Sequence, residues 1–308
     1  MMLYFEIYAK DYEAGNKGIA LQQVFDKYDE ISEDIEKKEK IASEELDGYL
    51  TRIDANEELS DKEKRAKEAA EINIEGYSIV KGSMDAQIVL LSTCEKLIPF
   101  YAKNYEENKN NELWLKRAAE RLEAKECDSD PLFAKITEQL HKLNPTAESA
   151  YLLGVAAQKN GNKTKALEYF NQAADLFKDN TKKAKVYYNI ATIYGNGNKV
   201  QARAYARKAL EAKPSFGKAY MYIANLYQSS INECGGTPFE KRAIYWLCAQ
   251  YANKAAAVDP ALKATASRQA AAYNASAPSK QDIFKENKAG QRISFGCWVG
   301  ESVTVPSF

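Results

Sequence analysis

The residues of this chain that are best suited to chemistry are a single histidine and five cysteines. A histidine beside a hydroxyl or thiol can act as a general base, and cysteines at short spacing can bind zinc. His141, however, lies at the polar end of a predicted helix, TEQLHKLNP, where its ring most simply interacts with the last carbonyl groups. No two cysteines form a C-x-x-C pair. The sequence therefore predicts no catalytic residue, no metal site and no cofactor.

The cysteines leave two interpretations open. Cys248 stands where a helical repeat needs a small residue, so we predict that it is part of the core. The other four are Cys94, Cys127, Cys234 and Cys297. They can form two disulfides in an oxidising compartment. In a reducing compartment they would be buried free thiols.

A repeat of about 34 residues organises positions 144–260. Small residues recur where two helices would approach closely: Gly154, Ala166, Ala173, Ala191, Ala202, Ala209, Ala224 and Ala255. Large residues such as Phe170, Tyr187 and Tyr194 fill the spaces beside them, and Pro214 and Pro260 end helices. This spacing is typical of the tetratricopeptide (TPR) pattern, in three units, the third with an insertion at 229–242. A plain bundle of alanine-rich helices is the alternative, which three tandem units disfavour.

The segments around the repeats are also predicted to be helical. We divide the chain into N-terminal helices with a long helical hairpin (1–83), degenerate TPR-like helix pairs (84–143), three TPR repeats (144–260), and a capping helix with a β-hairpin (261–308). The predicted fold class is all-α. It is a TPR-type α-solenoid of antiparallel helix pairs, with a projecting helical hairpin near the N-terminus and a short C-terminal β-hairpin.

Two features support the flanking predictions. Apolar residues follow a heptad seam at Leu21, Val24, Tyr28, Ile31 and Ile35, and Ser60 with Glu63 has the spacing of a capping box that starts the second helix of the hairpin. The hairpin is either a partner-binding arm or an elongated repeat with a solvated tip. Near the C-terminus, alternation through Ile293, Phe295 and Cys297 predicts a β-hairpin that docks through Phe295 and Trp298.

Charge and hydropathy exclude two classes of partner. Lys and Arg total 43, as do Asp and Glu, and no basic face is visible, so we predict no nucleic-acid binding. No apolar run reaches transmembrane length. The first residues, MMLYFEIYAKDYEAGNKG, lack the features of a signal peptide. We expect either a cytoplasmic protein or a chain that is truncated after an export segment.

The best candidate site is the concave face of the repeats. One stripe of each repeat's first helix lines this face in TPR units, which gives Tyr151, Val155, Lys185, Tyr188, Asn189, Thr192, Lys218, Met221, Tyr222 and Asn225. Aromatic anchors beside amides suit an extended or helical peptide. Asn189 and Lys218 also fall at or near two of the five positions with which chaperone adaptors clamp a C-terminal carboxylate.

Several stretches resemble exported TPR proteins of Bacteroidetes-type bacteria. They are CEKLIPFY, WLKRAAERL, KECDSDPLF, AIYWLCAQYANKAAAVDP and the ending APSKQDIF…SFGCWVGESVTV, in order along the whole chain. The resemblance implies a signal peptide and further TPR units upstream of this chain, and a location in the periplasm or at the outer membrane. It also implies that Cys94 pairs with Cys127 and Cys234 with Cys297. It implies no enzymatic activity.

The sequence thus predicts a non-enzymatic interaction scaffold that binds peptide or protein segments within a bacterial cell-envelope complex. A cytoplasmic chaperone-type adaptor that binds acidic C-terminal peptides is the first alternative. It would require reduced cysteines and a role for Asn189 and Lys218. An enzyme is the second alternative, and it would require close, convergent ionisable groups with shifted pKa values in a concave pocket.

Overall fold

A computed structural model of the chain describes residues 2–15, 18–89 and 91–307. Two short strands, β1 (Arg292–Ser294) and β2 (Ser302–Thr304), pair antiparallel with Ile293 opposite Val303. The helices are α1 (Met2–Glu13), α2 (Leu21–Asp54), α3 (Asp61–Gln87), α4 (Cys94–Asn108), α5 (Glu112–Ala124), α6 (Pro131–Leu143), α7 (Ala147–Lys159), α8 (Lys163–Leu176), α9 (Asn180–Tyr194), α10 (Lys199–Ala212), α11 (Gly217–Gln228), α12 (Pro238–Val258), α13 (Lys263–Ser276) and α14 (Lys280–Lys285). The predicted all-α fold of helix pairs, with a helical hairpin and a C-terminal β-hairpin, is confirmed.

The chain forms two compact units. Unit 1 contains the residues up to Leu46 together with Ser60–Lys178, and unit 2 contains Asp47–Leu59 and the residues from Asp179 onward. Unit 1 therefore holds most of the helical hairpin and the helices α4–α8. Unit 2 holds α9–α14, the two strands and the turn between α2 and α3.

In unit 1 the helical hairpin is held by the heptad seam. Val24 and Ile31 of α2 are buried against Met84 of α3 in one apolar cluster, which Phe5 of α1 completes. The capping box at the start of α3 is present as predicted. It satisfies two backbone N–H groups that the first turn of a helix leaves without partners.

The other helices of unit 1 pack in chain order, α4 on α5, α5 on α6, α6 on α7 and α7 on α8. A disulfide joins Cys94 at the start of α4 to Cys127 after α5, with 5.4 Å between their Cα atoms. Asp130 caps α6 by accepting a hydrogen bond of 2.8 Å from the backbone N–H of Leu132. The first disulfide therefore ties the ends of the α4–α5 pair together.

The helix pair α7–α8 has an unusually close contact at Gly154. A Cβ atom placed on Gly154 would lie 2.5 Å from Cδ1 of Phe170, and Phe170 is completely buried. In the next two repeats alanines, Ala191 and Ala224, take the place of Gly154, and further alanines take the place of Phe170. The ring of Phe170 thus fills the space that alanine methyl groups fill in the other repeats.

We therefore expect Gly154→Ala to lower the free energy of unfolding by about 1–3 kcal/mol, because the added methyl group overlaps a ring that has no room to move. Urea denaturation followed by circular dichroism measures this loss. A second substitution, Phe170→Leu, should recover part of it by making room for the methyl group. Strictly additive losses in the double variant would contradict this account of the contact.

In unit 2 the helices α9–α13 pack in succession, each on the next. Alanines at the helix contacts, among them Ala206 and Ala252, are completely buried. Cys248 is also completely buried and is the free cysteine of the described chain. Burial raises the pKa of its thiol to about 12, so it remains a neutral core residue near pH 7, as predicted.

The turn between α2 and α3 lies within unit 2. The Asp47 carboxylate accepts a hydrogen bond of 2.9 Å from the backbone N–H of Ser215, and Lys254 on α12 lies 2.8 Å from the Asp54 carboxylate. The last turns of α2 thus have polar partners in the chain that precedes α11 and in α12. Residues 55–58 of the turn itself are exposed, which fits the solvated tip rather than a buried one.

The β-hairpin is fixed to the core of unit 2 and to the segment between α11 and α12 by three kinds of contact. Phe295 is buried in the core of unit 2, and the Trp298 indole donates a hydrogen bond of 3.0 Å to the Ser230 hydroxyl. A disulfide joins Cys234, in the insertion before α12, to Cys297 in the hairpin turn. Both cysteine pairs that the resemblance implies are thus present in the structure.

Candidate peptide-binding surface

The two candidate residues on α7 are packed inside unit 1. Tyr151 and Val155 are both buried. The Tyr151 hydroxyl donates a hydrogen bond of 2.8 Å to the Glu123 carboxylate of α5. Tyr151 and Val155 occupy the repeat positions that line a groove, but α5 and the neighbouring side chains cover both residues.

The candidate residues on α9 and α11 lie in unit 2 and reach the surface to different degrees. Lys185, Lys218 and Asn225 are exposed. The partly exposed members are Tyr188, Asn189, Thr192, Met221 and Tyr222. The Thr192 hydroxyl donates a hydrogen bond of 2.7 Å to the backbone carbonyl of Asn189, one helical turn away.

An aromatic pair forms the centre of this surface. The rings of Tyr188 on α9 and Tyr222 on α11 meet edge to face, with 5.6 Å between their centroids, and Phe216 meets the Tyr188 ring at the same distance. The Tyr222 hydroxyl donates a hydrogen bond of 2.9 Å to the carbonyl of Ala191, which fixes the ring. Desolvation raises the pKa of Tyr222 to about 12, so its phenol is neutral at physiological pH.

Asn225 brings an oriented amide to the same helix face. Its carbonyl oxygen accepts a hydrogen bond of 2.8 Å from the Tyr273 hydroxyl on α13. The amide NH₂ group is thereby left to donate, and a peptide carbonyl is the acceptor that such a group would bind. The stripe therefore combines rigid aromatic rings, an oriented donor and the positive charge of Lys218.

His141 has a structural role in unit 1. Its Nδ1 atom lies 2.8 Å from the Ser149 hydroxyl, and that hydroxyl also accepts a hydrogen bond of 2.8 Å from the backbone N–H of Thr146. Ser149 is buried and forms the capping box of α7. The histidine therefore stabilises the start of the next helix, whereas the sequence had suggested an interaction with the last carbonyls of its own helix.

Unit 1 contains a charged cluster that was not predicted from the sequence. Arg121 of α5 is buried, and its guanidinium donates hydrogen bonds to the Tyr101 hydroxyl (2.6 Å), to the Phe25 carbonyl (3.2 Å) and, at short range, to Asp29. One turn earlier, Arg117 donates to Glu33 at 3.1 and 3.2 Å. The available signal was helical spacing, since both arginines are one turn apart in WLKRAAERL and the acidic residues are one turn apart in DKYDEISE.

Neither a metal-binding cluster nor a membrane-spanning helix is found among the described residues. No group of three or more His, Cys, Asp or Glu side chains within those ranges is placed to hold a metal ion. Among the helices of the same ranges, none combines the length and apolar character needed to cross a membrane.

Comparisons with known proteins agree with the repeat prediction. Residues 141–215 match the tetratricopeptide repeat family model. The chain is 29% identical over 132 residues to the photosystem I assembly protein Ycf3 of Cyanophora paradoxa, covering 38% of this chain and 76% of that protein. Ycf3 of Prochlorococcus marinus subsp. pastoris is 31% identical over 106 residues, or 32% of this chain and 61% of the relative. The crystal structure of the MamA protein aligns with 64% of this chain and 93% of its own, at 21% identity and a TM-score of 0.40.

Proposed function

We propose that the protein is a non-enzymatic scaffold that binds peptide segments of partner proteins on the surface formed by α9 and α11. The observation that carries this proposal is the edge-to-face pair of Tyr188 and Tyr222, with the oriented amide of Asn225 on the same helix face as Tyr222. The tetratricopeptide repeat match over residues 141–215 supports it, as does the similarity to proteins whose name describes assembly.

The chemistry of this surface suits an extended segment with an apolar side chain and an acidic residue. Rigid aromatic rings provide large contact areas at a low entropic cost, and such residues dominate binding energy at interfaces. Asn225 donates to a backbone carbonyl of the segment. Lys218 lies one turn before Tyr222 and attracts a carboxylate, so its contribution weakens as the salt concentration rises.

The proposal is tested with peptides selected on the full chain from a random 12-residue phage library. Their affinities are then measured by fluorescence anisotropy. Tyr188→Ala is expected to weaken binding by about 2 kcal/mol, or roughly thirtyfold, because it removes a central aromatic anchor. Lys218→Glu should weaken the binding of acidic peptides about threefold to tenfold, and most strongly at low salt.

Adjacent residues provide matched controls. Tyr187 precedes Tyr188 on the same helix and is also half-buried, but its ring contacts Tyr205 of α10. Lys263 is an exposed lysine of the same unit on another helix. Tyr187→Ala and Lys263→Glu should leave peptide affinity unchanged. Equal losses in Tyr187→Ala and Tyr188→Ala, or a library from which no peptide is enriched, would rule the surface out.

We also propose that the protein works in the cell envelope, in the periplasm or at the outer membrane. The support is the presence of two disulfides, which persist in oxidising compartments, and the resemblance to exported TPR proteins of Bacteroidetes-type bacteria. Thiols are blocked with N-ethylmaleimide in intact cells, and the unreduced protein is digested and analysed by mass spectrometry. Cross-linked Cys94–Cys127 and Cys234–Cys297 peptides are expected. Four blocked thiols would favour the cytoplasmic adaptor instead.

A further inference from the structure

Unit 1 contains a cavity that the peptide-binding surface does not use. It has a volume of about 320 Å³ and lies between the first turns of α2, the second half of α4 and the face of α5 that carries Arg117. Small-molecule sites span about 300–1,000 Å³. The cavity therefore has room for a compact ligand of about one or two rings.

The polar groups that line the cavity are held in fixed orientations. Asn104 donates its amide N–H to the Phe100 carbonyl at 2.7 Å, and Asn108 donates to the Asn104 carbonyl at 2.9 Å. Each amide oxygen therefore points away from the helix backbone, and no donor within the described part of the chain reaches it. Two preorganised acceptors thus lie one helical turn apart along α4.

A hydrogen-bond donor, the indole N–H of Trp114, lines the cavity from α5. Trp114 is only 8% exposed, and its indole N–H makes no hydrogen bond to the residues that the structure describes. Phe100 and Leu113, which is 53% exposed, add apolar surface to the lining. The cavity thus offers acceptors, a donor and an apolar wall together.

The charges around the cavity offset one another. Arg117 donates to Glu33 and lies 3.8 Å from both Asp26 and Asp29, and Arg121 is paired with Asp29. Two guanidinium groups thus face three carboxylates at close range. An anion would find the positive charges of both arginines already compensated, although Nε of Arg121 has no hydrogen-bond partner among the described residues. A cation would lie beside two guanidinium groups. These charges favour a ligand without charge.

We propose that this cavity binds an uncharged sugar, with the ring hydroxyls donating to Asn104 and Asn108 and accepting from the Trp114 indole. A pyranose ring matches the lining because its hydroxyls both donate and accept, while its C–H face is apolar and packs on Phe100 and Leu113. The site lies wholly in unit 1 and is independent of the peptide-binding surface on α9 and α11.

Ligand-observed NMR and calorimetry on the full chain test the proposal with four monosaccharide probes, glucose, galactose, mannose and N-acetylglucosamine, and three disaccharides, maltose, cellobiose and lactose. Glucosamine and glucuronate serve as charged derivatives of the same ring. At least one neutral sugar is expected to saturate the site, and both charged derivatives should bind it at least about tenfold more weakly. The absence of saturable binding by every neutral probe, or tighter binding of a charged one, overturns the proposal.

Trp114→Phe keeps an aromatic ring but removes the indole N–H together with part of the indole surface, so it should weaken sugar binding about tenfold. Trp246 in unit 2 is also 8% exposed, and Trp246→Phe is the matched control that should leave sugar affinity unchanged. Asn108→Ala removes one acceptor and should weaken binding to a similar extent as Trp114→Phe. Circular dichroism verifies that each variant is folded. Unchanged affinity in both cavity variants assigns the sugar to another place and overturns the proposal.

Discussion

Replacing Arg121 by methionine is expected to lower the free energy of unfolding of unit 1 by about 3–5 kcal/mol. The Arg121 side chain is 4% exposed, and that of Asp29, its ion-pair partner, is 14% exposed. Removing the arginine leaves a buried carboxylate with only Arg117 near it, 3.8 Å away, and takes the donor from the Tyr101 hydroxyl. An uncompensated buried charge is among the costliest single changes that a folded chain can suffer.

The measurement requires a signal that reports on unit 1 alone. The chain has three tryptophans, of which Trp114 lies in unit 1 beside Arg121, and Trp246 and Trp298 lie in unit 2. Urea denaturation is therefore followed by tryptophan fluorescence in a background with Trp246→Phe and Trp298→Phe. The double replacement Arg121→Met with Asp29→Leu should recover most of the loss, since a buried ion pair can often be replaced by apolar residues. Additive losses would show that the two side chains do not act as a pair.

The Arg121–Asp29 pair also predicts that the stability of unit 1 depends on pH. Burial raises the pKa of Asp29 from 3.8 to about 6, against the opposing effects of Arg121 and Arg117. Between these values the folded chain binds the proton more tightly than the unfolded chain, so the contribution of Asp29 to stability increases as pH falls through 6 toward 4. Without Arg121 the pKa rises further. The deficit of Arg121→Met should thus be smaller at pH 5 than at pH 7, and the reverse order would contradict the assignment.

Local patterns were sufficient to predict the repeats. Gly154 and Ala166 stand at helix contacts that depend on spacing within one unit, and a residue's neighbours in such a unit lie within about one repeat of it in sequence. The capping box at Ser60 and the alternation around Phe295 are equally local, and both are present. Predictions of this kind succeed because they depend on interactions between residues that are close in sequence.

Long-range contacts were the part that local patterns could not predict. Arg121 is 92 residues from Asp29, and charged residues on a helix are ordinarily solvated, so the one-turn spacing of the arginines in WLKRAAERL does not by itself indicate burial. Tyr151 and Val155 occupy the repeat positions of a groove, but contact with α5 buries them. The cavity residues Asn104 and Trp114 likewise come from separate helices. The helix faces that contact one another are decided by the packing of whole helices, and a local sequence pattern does not contain that information.

Removal of the disulfide between Cys234 and Cys297 is expected to lower the free energy of unfolding of unit 2 by about 4 kcal/mol. The two cysteines are 63 residues apart, so the bond removes much of the freedom of the unfolded chain. The double variant Cys234→Ala with Cys297→Ala should unfold at a correspondingly lower urea concentration, measured by tryptophan fluorescence in a Trp114→Phe background.

Chemical reduction distinguishes the effect of losing the disulfide bond from the effect of replacing the cysteine side chains. Wild-type protein in dithiothreitol should unfold like the double-alanine variant, whereas Cys94→Ala with Cys127→Ala should leave the unit 2 transition unchanged. The hairpin itself should stay docked after reduction, because Glu301 accepts hydrogen bonds from the hydroxyls of Tyr227 and Tyr251 and pairs with Arg207 at 2.6 Å. Hydrogen exchange of residues 292–305 should therefore increase strongly only when reduction is combined with Glu301→Ala. Full exchange after reduction alone would show that the disulfide, and not Glu301, holds the hairpin.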